Sequence, residues 1–87
     1  MTARELEDGK YRTSDIYFAA FLKTAGVPFL EAETDPEDPR RTVFAFENGD
    51  TLRDLRTKYF NRTAKVSALT YADDVRALKS MTFGRRS

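Results

Sequence analysis

Eighty-seven residues with a formal net charge of +1 bound the chain to one domain. There is no Cys and no His, which excludes disulfides, thiolate chemistry, the usual general base and the commonest zinc ligand. No apolar run approaches the roughly 20 residues that span a bilayer, and the acid-bearing start MTARELEDGK lacks the apolar core of a signal peptide, so a cytoplasmic location is the expectation.

Residues 1–10 are polar, charged and without period, and are expected to form a disordered N-terminal arm ahead of a single globular domain over 11–83. Thr13 or Ser14 is placed to cap a helix, with Asp15 in its first turn, and the helix is expected to run to about Ala25. Gly26 suits the left-handed position past its end, and Pro28 stops it. At 100° per residue Tyr17, Phe18, Phe21, Leu22 and Ala25 share an arc about 140° wide, which is core spacing. Ile16, Ala19 and Ala20 lie on the other side. A helix apolar nearly all round is buried twice over or sits at an interface.

VPFLEAET (27–34) reads as a strand with Leu30 and Ala32 on one face and Phe29, Glu31 and Glu33 on the other. DPEDPR (35–40) reads as a turn, because two prolines disfavour a ladder. TVFAFE (42–47) returns with Phe44 and Phe46 together, making an antiparallel hairpin. Thr51 and Asp54 have the spacing of a capping box. Leu52, Leu55, Tyr59 and Phe60 follow at helical spacing, and NRTAK breaks the helix. Ser67 opens a last helix with a stripe of Ala68, Tyr71, Ala72, Val75 and Leu78. Residues 84–87 read as a frayed tail. The expected class is α+β in the order α-β-β-α-α, an antiparallel β-hairpin packed against three helices. An alternative pairs the hairpin edge-to-edge with a second copy as a homodimer.

No constellation assembles an active site. Glu31, Glu33, Asp35, Glu37 and Asp38 crowd the hairpin end, but the spacing is that of a solvated acidic turn rather than a calcium loop. Asp73 and Asp74 are neighbours and point 100° apart on a helix, so they share no proton. Ser14, Ser67 and Ser80 have no histidine to activate them, and the four glycines are isolated, so no phosphate loop exists. The Asn61-Arg62-Thr63 sequon reads as chance. The expectation is no enzyme, no metal and no cofactor.

Charge is more informative. Residues 1–50 carry −5 and residues 51–87 carry +6, a split that suits a polyanion partner or mutual neutralisation within or between chains. RTKYFNRTAK (56–65) interleaves bases with aromatics, although helical spacing turns Tyr59 and Phe60 toward the core. Arg56 falls inside the apolar column and must snorkel to the rim or pair with a carboxylate, for which Glu31 and Glu33 are the expected partners. Two binding functions follow. In the first, Arg53, Lys58, Arg62, Lys65, Arg76 and Lys79 meet phosphates of DNA or RNA. In the second, the acidic hairpin or the apolar helix back at Ile16, Ala19 and Ala20 meets a protein partner.

The strings YRTSDIYFAAFLKTAG, VFAFENGDTLRDLRTKYFN and KVSALTYADDVRALKSM resemble a family of small bacterial and bacteriophage proteins catalogued only as a domain of unknown function. The most specific parts are Tyr11-x-Thr13-x-Asp15-x-Tyr17-x-Ala19-Ala20-x-Leu22 and Arg76-x-Leu78-Lys79-Ser80, within a likeness over about residues 11–83. The resemblance implies a short open reading frame in a bacterial or mobile-element setting and carries over no catalytic residue.

Overall fold

The computed structural model describes residues 9–86, with side chains through residue 82. The chain is α+β, with three strands and three helices: β1 (Lys10–Thr13), α1 (Ile16–Thr24), β2 (Phe29–Asp35), β3 (Asp38–Glu47), α2 (Asp50–Phe60) and α3 (Ala68–Arg86). The expected α-β-β-α-α order is present, preceded by a strand that was not expected. The arm assigned to residues 1–10 lies outside the described residues as far as residue 8, and Lys10 already pairs in the sheet. At the other end α3 carries on to Arg86, through most of the expected tail.

β3 is the central strand of an antiparallel sheet ordered β1-β3-β2. Lys10, Tyr11, Arg12 and Thr13 stand opposite Glu47, Phe46, Ala45 and Phe44. β1 thus takes the β3 edge of the hairpin, and β2 is left as the edge strand on the other side. Tyr11 becomes a core residue, 8% exposed, with its ring edge-on to Phe18 at 6.1 Å.

The hairpin departs from strict alternation at two places. A register shift between Phe29 and Glu31 lets Phe29 face Phe46, ring to ring at 5.4 Å, and leaves Leu30 exposed. Phe29 therefore packs on the core side with Ala32, and Leu30 does not. One extra residue resets the period of two that assigned those faces. The ladder also continues past the expected turn. Asp35 pairs with Asp38, and the shift after Thr34 takes up Pro39, Arg40 and Arg41. Asp35 accepts from the Glu37 N–H at 2.9 Å and Asp38 from the Arg40 N–H at 3.1 Å. These carboxylates build the turn by bonding their own backbone two residues on.

α1 begins at Asp15, which caps it instead of Thr13 or Ser14. Its Oδ1 accepts from the N–H groups of Tyr17 and Phe18 at 3.0 and 3.2 Å, and Thr13 Oγ1 accepts from the Asp15 N–H. At the far end Gly26 takes φ +97°. Its N–H meets the Lys23 carbonyl, and that of Val27 meets the Leu22 carbonyl. This is the paired closure of a Schellman motif, with the buried Leu22 and Val27 as its apolar clasp. α2 starts one residue before the proposed capping box, behind Gly49, which offers no side-chain cap. Asp50 in its first turn pairs with Arg53 instead.

The core joins Phe18, Ala19, Ala20, Phe21 and Leu22 of α1 to Phe44 and Phe46 of β3, Leu52 of α2 and Leu78 of α3. The helix back at Ala19 and Ala20 is fully buried inside the chain, and Ile16 is half-buried beside it. Ala19 and Ala20 therefore offer no surface to a partner. Alanine there lets neighbouring backbone approach α1 closely. α3 is pinned to α1 by Asp74, which accepts from Lys23 Nζ at 3.1 Å and Thr24 Oγ1 at 2.8 Å.

Candidate functional site

The end of α2 decides where the basic residues go. Asn61 caps the helix, and Arg62 follows at φ +60°. The Arg62 N–H meets the Tyr59 carbonyl and the Thr63 N–H meets the Lys58 carbonyl. This is a second Schellman closure, with an arginine where glycine is usual. The chain then runs in a loop to Ser67, whose carbonyl accepts from the Tyr71 N–H and whose Oγ accepts from the Thr70 N–H, opening α3 as expected.

This junction holds a cleft of about 330 Å³ lined by Phe21, Tyr59, Arg62, Ala64, Val66 and Tyr71. Phe21 and Tyr59 meet at a tilt of 38° with ring centres 5.1 Å apart, and Tyr59 also meets Phe18 at 4.9 Å. Phe60 lies edge-on to Tyr59 at 5.5 Å and is 66% exposed, which corrects its expected place in the core. Tyr17 is likewise turned out, 51% exposed, and Lys79 Nζ stands 5.8 Å from its ring centre. The Tyr71 hydroxyl donates to the Tyr17 carbonyl at 3.3 Å, linking that ring to the cleft. Burial raises both phenols, Tyr59 and Tyr71, above the ordinary value of 10, so they stay protonated donors at neutral pH.

The six basic candidates do not form one patch of equal members. Arg53, Lys58 and Arg76 each pair along their own helix, with Asp50, Asp54 (3.1 Å) and Asp73. Such exposed pairs are weak and easily exchanged for another anion. Lys79 sits on Tyr17. Arg62 and Lys65 make no ion pair among the described residues and flank or follow the cleft wall. Arg56 does not reach Glu31 or Glu33; its guanidinium stands over the Tyr11 ring at 5.5 Å. Those glutamates instead meet Lys10 (3.6 Å) and Arg12 (2.8 Å). Among the described residues no group of acids, His or Cys is placed to hold a metal ion, and no helix is long and apolar enough to cross a membrane.

Sequence reasoning placed Arg62 and Lys65 in the site but not Phe60, Ala64, Val66 or Tyr71. The interleaving of RTKYFNRTAK was the available signal. The direction of the Phe60 ring is not legible there, because Phe60 falls at the flank of the α2 apolar arc, about 80° from Leu52, where only packing decides.

A family model for a domain of unknown function, DUF5659, matches residues 8–84. The chain belongs to that family. No curated protein and no solved structure matches it. The DUF5659 match takes in the whole sheet, all of α1 and α2, the junction cleft and nearly all of α3.

Proposed function

We propose that this DUF5659 chain is a non-enzymatic nucleic-acid-binding module of bacterial or mobile-element type, working through the α2–α3 junction. The observation that carries the reading is Phe60: a ring two-thirds exposed in the last residue of α2, packed against Tyr59 and Phe18, with Lys58 and Arg62 two positions to either side of it in sequence. Exposed rings beside cations are the elements from which single strands are held, by stacking and by phosphate contact. Tyr17 with Lys79 is a second such pair. Lys65 adds charge from the loop. Arg53 and Arg76, already held by their own aspartates, supply long-range attraction to a polyanion.

The test is fluorescence anisotropy with labelled single- and double-stranded oligonucleotides at 50 and 200 mM salt. Micromolar binding that falls steeply with salt is expected, stronger for the single strand. Replacing Lys58 and Arg62 together flattens the single-strand salt slope by about 1.4. Phe60→Ala weakens binding about tenfold without moving the slope. An unchanged slope in the double variant sinks the phosphate role.

A second reading keeps one support. Leu30 is 46% exposed beside the acidic hairpin, where a protein partner would find an apolar anchor. Capture of a partner by the chain, lost in Leu30→Asp, would favour it.

A further inference from the structure

We infer that the cleft between Tyr59 and Tyr71 receives one unstacked base of a single-stranded nucleic acid, with the adjoining phosphate against Arg62 and Lys65. This rests on the binding function proposed above and narrows it from a charged surface to a base-sized site.

The lining selects the ligand. Five of the six residues around the cleft present carbon-rich surface, and the sixth is a guanidinium. No carboxylate lines it. An occupant must therefore be apolar on its faces and negative nearby, as a nucleotide is. The volume of about 330 Å³ lies at the low end of the roughly 300–1,000 Å³ typical of small-molecule sites. It suits one base, not a stacked pair. A duplex keeps its bases stacked inside and cannot enter without extruding one.

Polar placement agrees. Phe21, 3% exposed, forms the floor. The Tyr71 hydroxyl is already given to the Tyr17 carbonyl. The Tyr59 hydroxyl makes no hydrogen bond among the described residues, so it is available to a base edge. Arg62 supplies an independent pointer. A residue with a side chain at φ +60° is held in a sparsely populated conformation where glycine would rest without strain. Such positions cluster where a side chain is needed for binding. Here the strained residue is the one cation lining the cleft.

The experiment compares a labelled ten-nucleotide thymidine strand with the same strand carrying abasic sites, at 50 mM salt. The wild-type chain should bind the abasic strand at least about fivefold more weakly, since each stacked base contributes on that scale. Ala64→Leu narrows the cleft without changing charge, and should shrink the difference between the two strands to what stacking on Phe60 supplies, with its melting temperature checked in parallel; an undiminished difference overturns the base site. Equal wild-type affinity for the two strands overturns the base site while leaving phosphate binding in place. Absence of binding to either strand overturns both readings.

Discussion

Arg12 and Glu33 close an ion pair over the back of the central strand. Arg12 Nε donates to Glu33 Oε1 at 2.8 Å, although the two residues belong to β1 and β2, which never pair with each other. Lys10 and Glu31 repeat the arrangement at 3.6 Å. Between them lies Ala45, opposite both Arg12 and Glu31, on the sheet face away from the helices and yet 0% exposed. Long side chains from both edges meet over a small residue and cover it. Charged residues thus roof a sheet face that no helix covers.

That roof predicts acid sensitivity. The Arg12 hydrogen bond lowers Glu33 below its ordinary value of 4.5, against the opposing effect of burial. A carboxylate lowered in the folded state stabilises the fold fully above its unfolded value and loses that contribution as pH falls through the folded value. Urea unfolding should therefore show this contribution flat from pH 7 to about 5 and falling below about 4.5. In Glu33→Gln the chain should be about 1 kcal/mol less stable at pH 7 and show a shallower acid decline. An unchanged acid profile would remove Glu33 from the account.

Ala20 tests the helix packing. Its Cβ is fully buried on a helix covered by the sheet and α3. Ala20→Leu should cost about 1–3 kcal/mol by overpacking, and Ala20→Arg should prevent folding. Circular dichroism melts would show both. A folded Ala20→Arg protein would mean that the helix back is accessible after all.

Asp74 tests the docking of α3. It joins α1 through Lys23 and Thr24 with its side chain 14% exposed. Asp74→Ala should cost about 1–2 kcal/mol and raise hydrogen exchange in α3 before α2. Equal loosening of both helices would place the anchor elsewhere.

Arg62 separates stability from binding. Arg62→Gly relieves a left-handed side-chain residue at a net gain of about 0.5–1 kcal/mol, after the extra freedom glycine has when unfolded. The same change should weaken oligonucleotide binding. A variant that melts higher and binds less would fit both roles of Arg62. One that melts lower would show its side chain supporting the fold.

Much of this architecture is legible in the chain. The Gly26 stop, the Phe44–Phe46 face, the Ser67 start and the Tyr71, Val75 and Leu78 part of the α3 stripe follow from local rules, because each depends on neighbours a few residues away, whereas Ala68 at the head of that stripe is exposed. The junction site was half legible. Its cations are marked by composition, but Phe60 falls at the flank of the α2 apolar arc, about 80° from Leu52, where the helical period does not choose between core and solvent. β1 was missed because four residues, KYRT, are too few to show a period and become a strand only by pairing with β3.

The sequence by itself determined that this is a small α+β chain whose first helix ends at Gly26, where a left-handed residue is demanded, and whose positive charge is gathered after residue 50. Tertiary structure alone decided which strand lies in the middle, that the helix back at Ala19 and Ala20 is core, that Glu31 and Glu33 answer Lys10 and Arg12 rather than Arg56, and that Phe60 faces out. Each of those is settled by partners distant in the chain. Local periodicity carries direction within one element, and the choice of neighbour comes only from the packing that buries the most apolar surface while leaving every charge paired or wet.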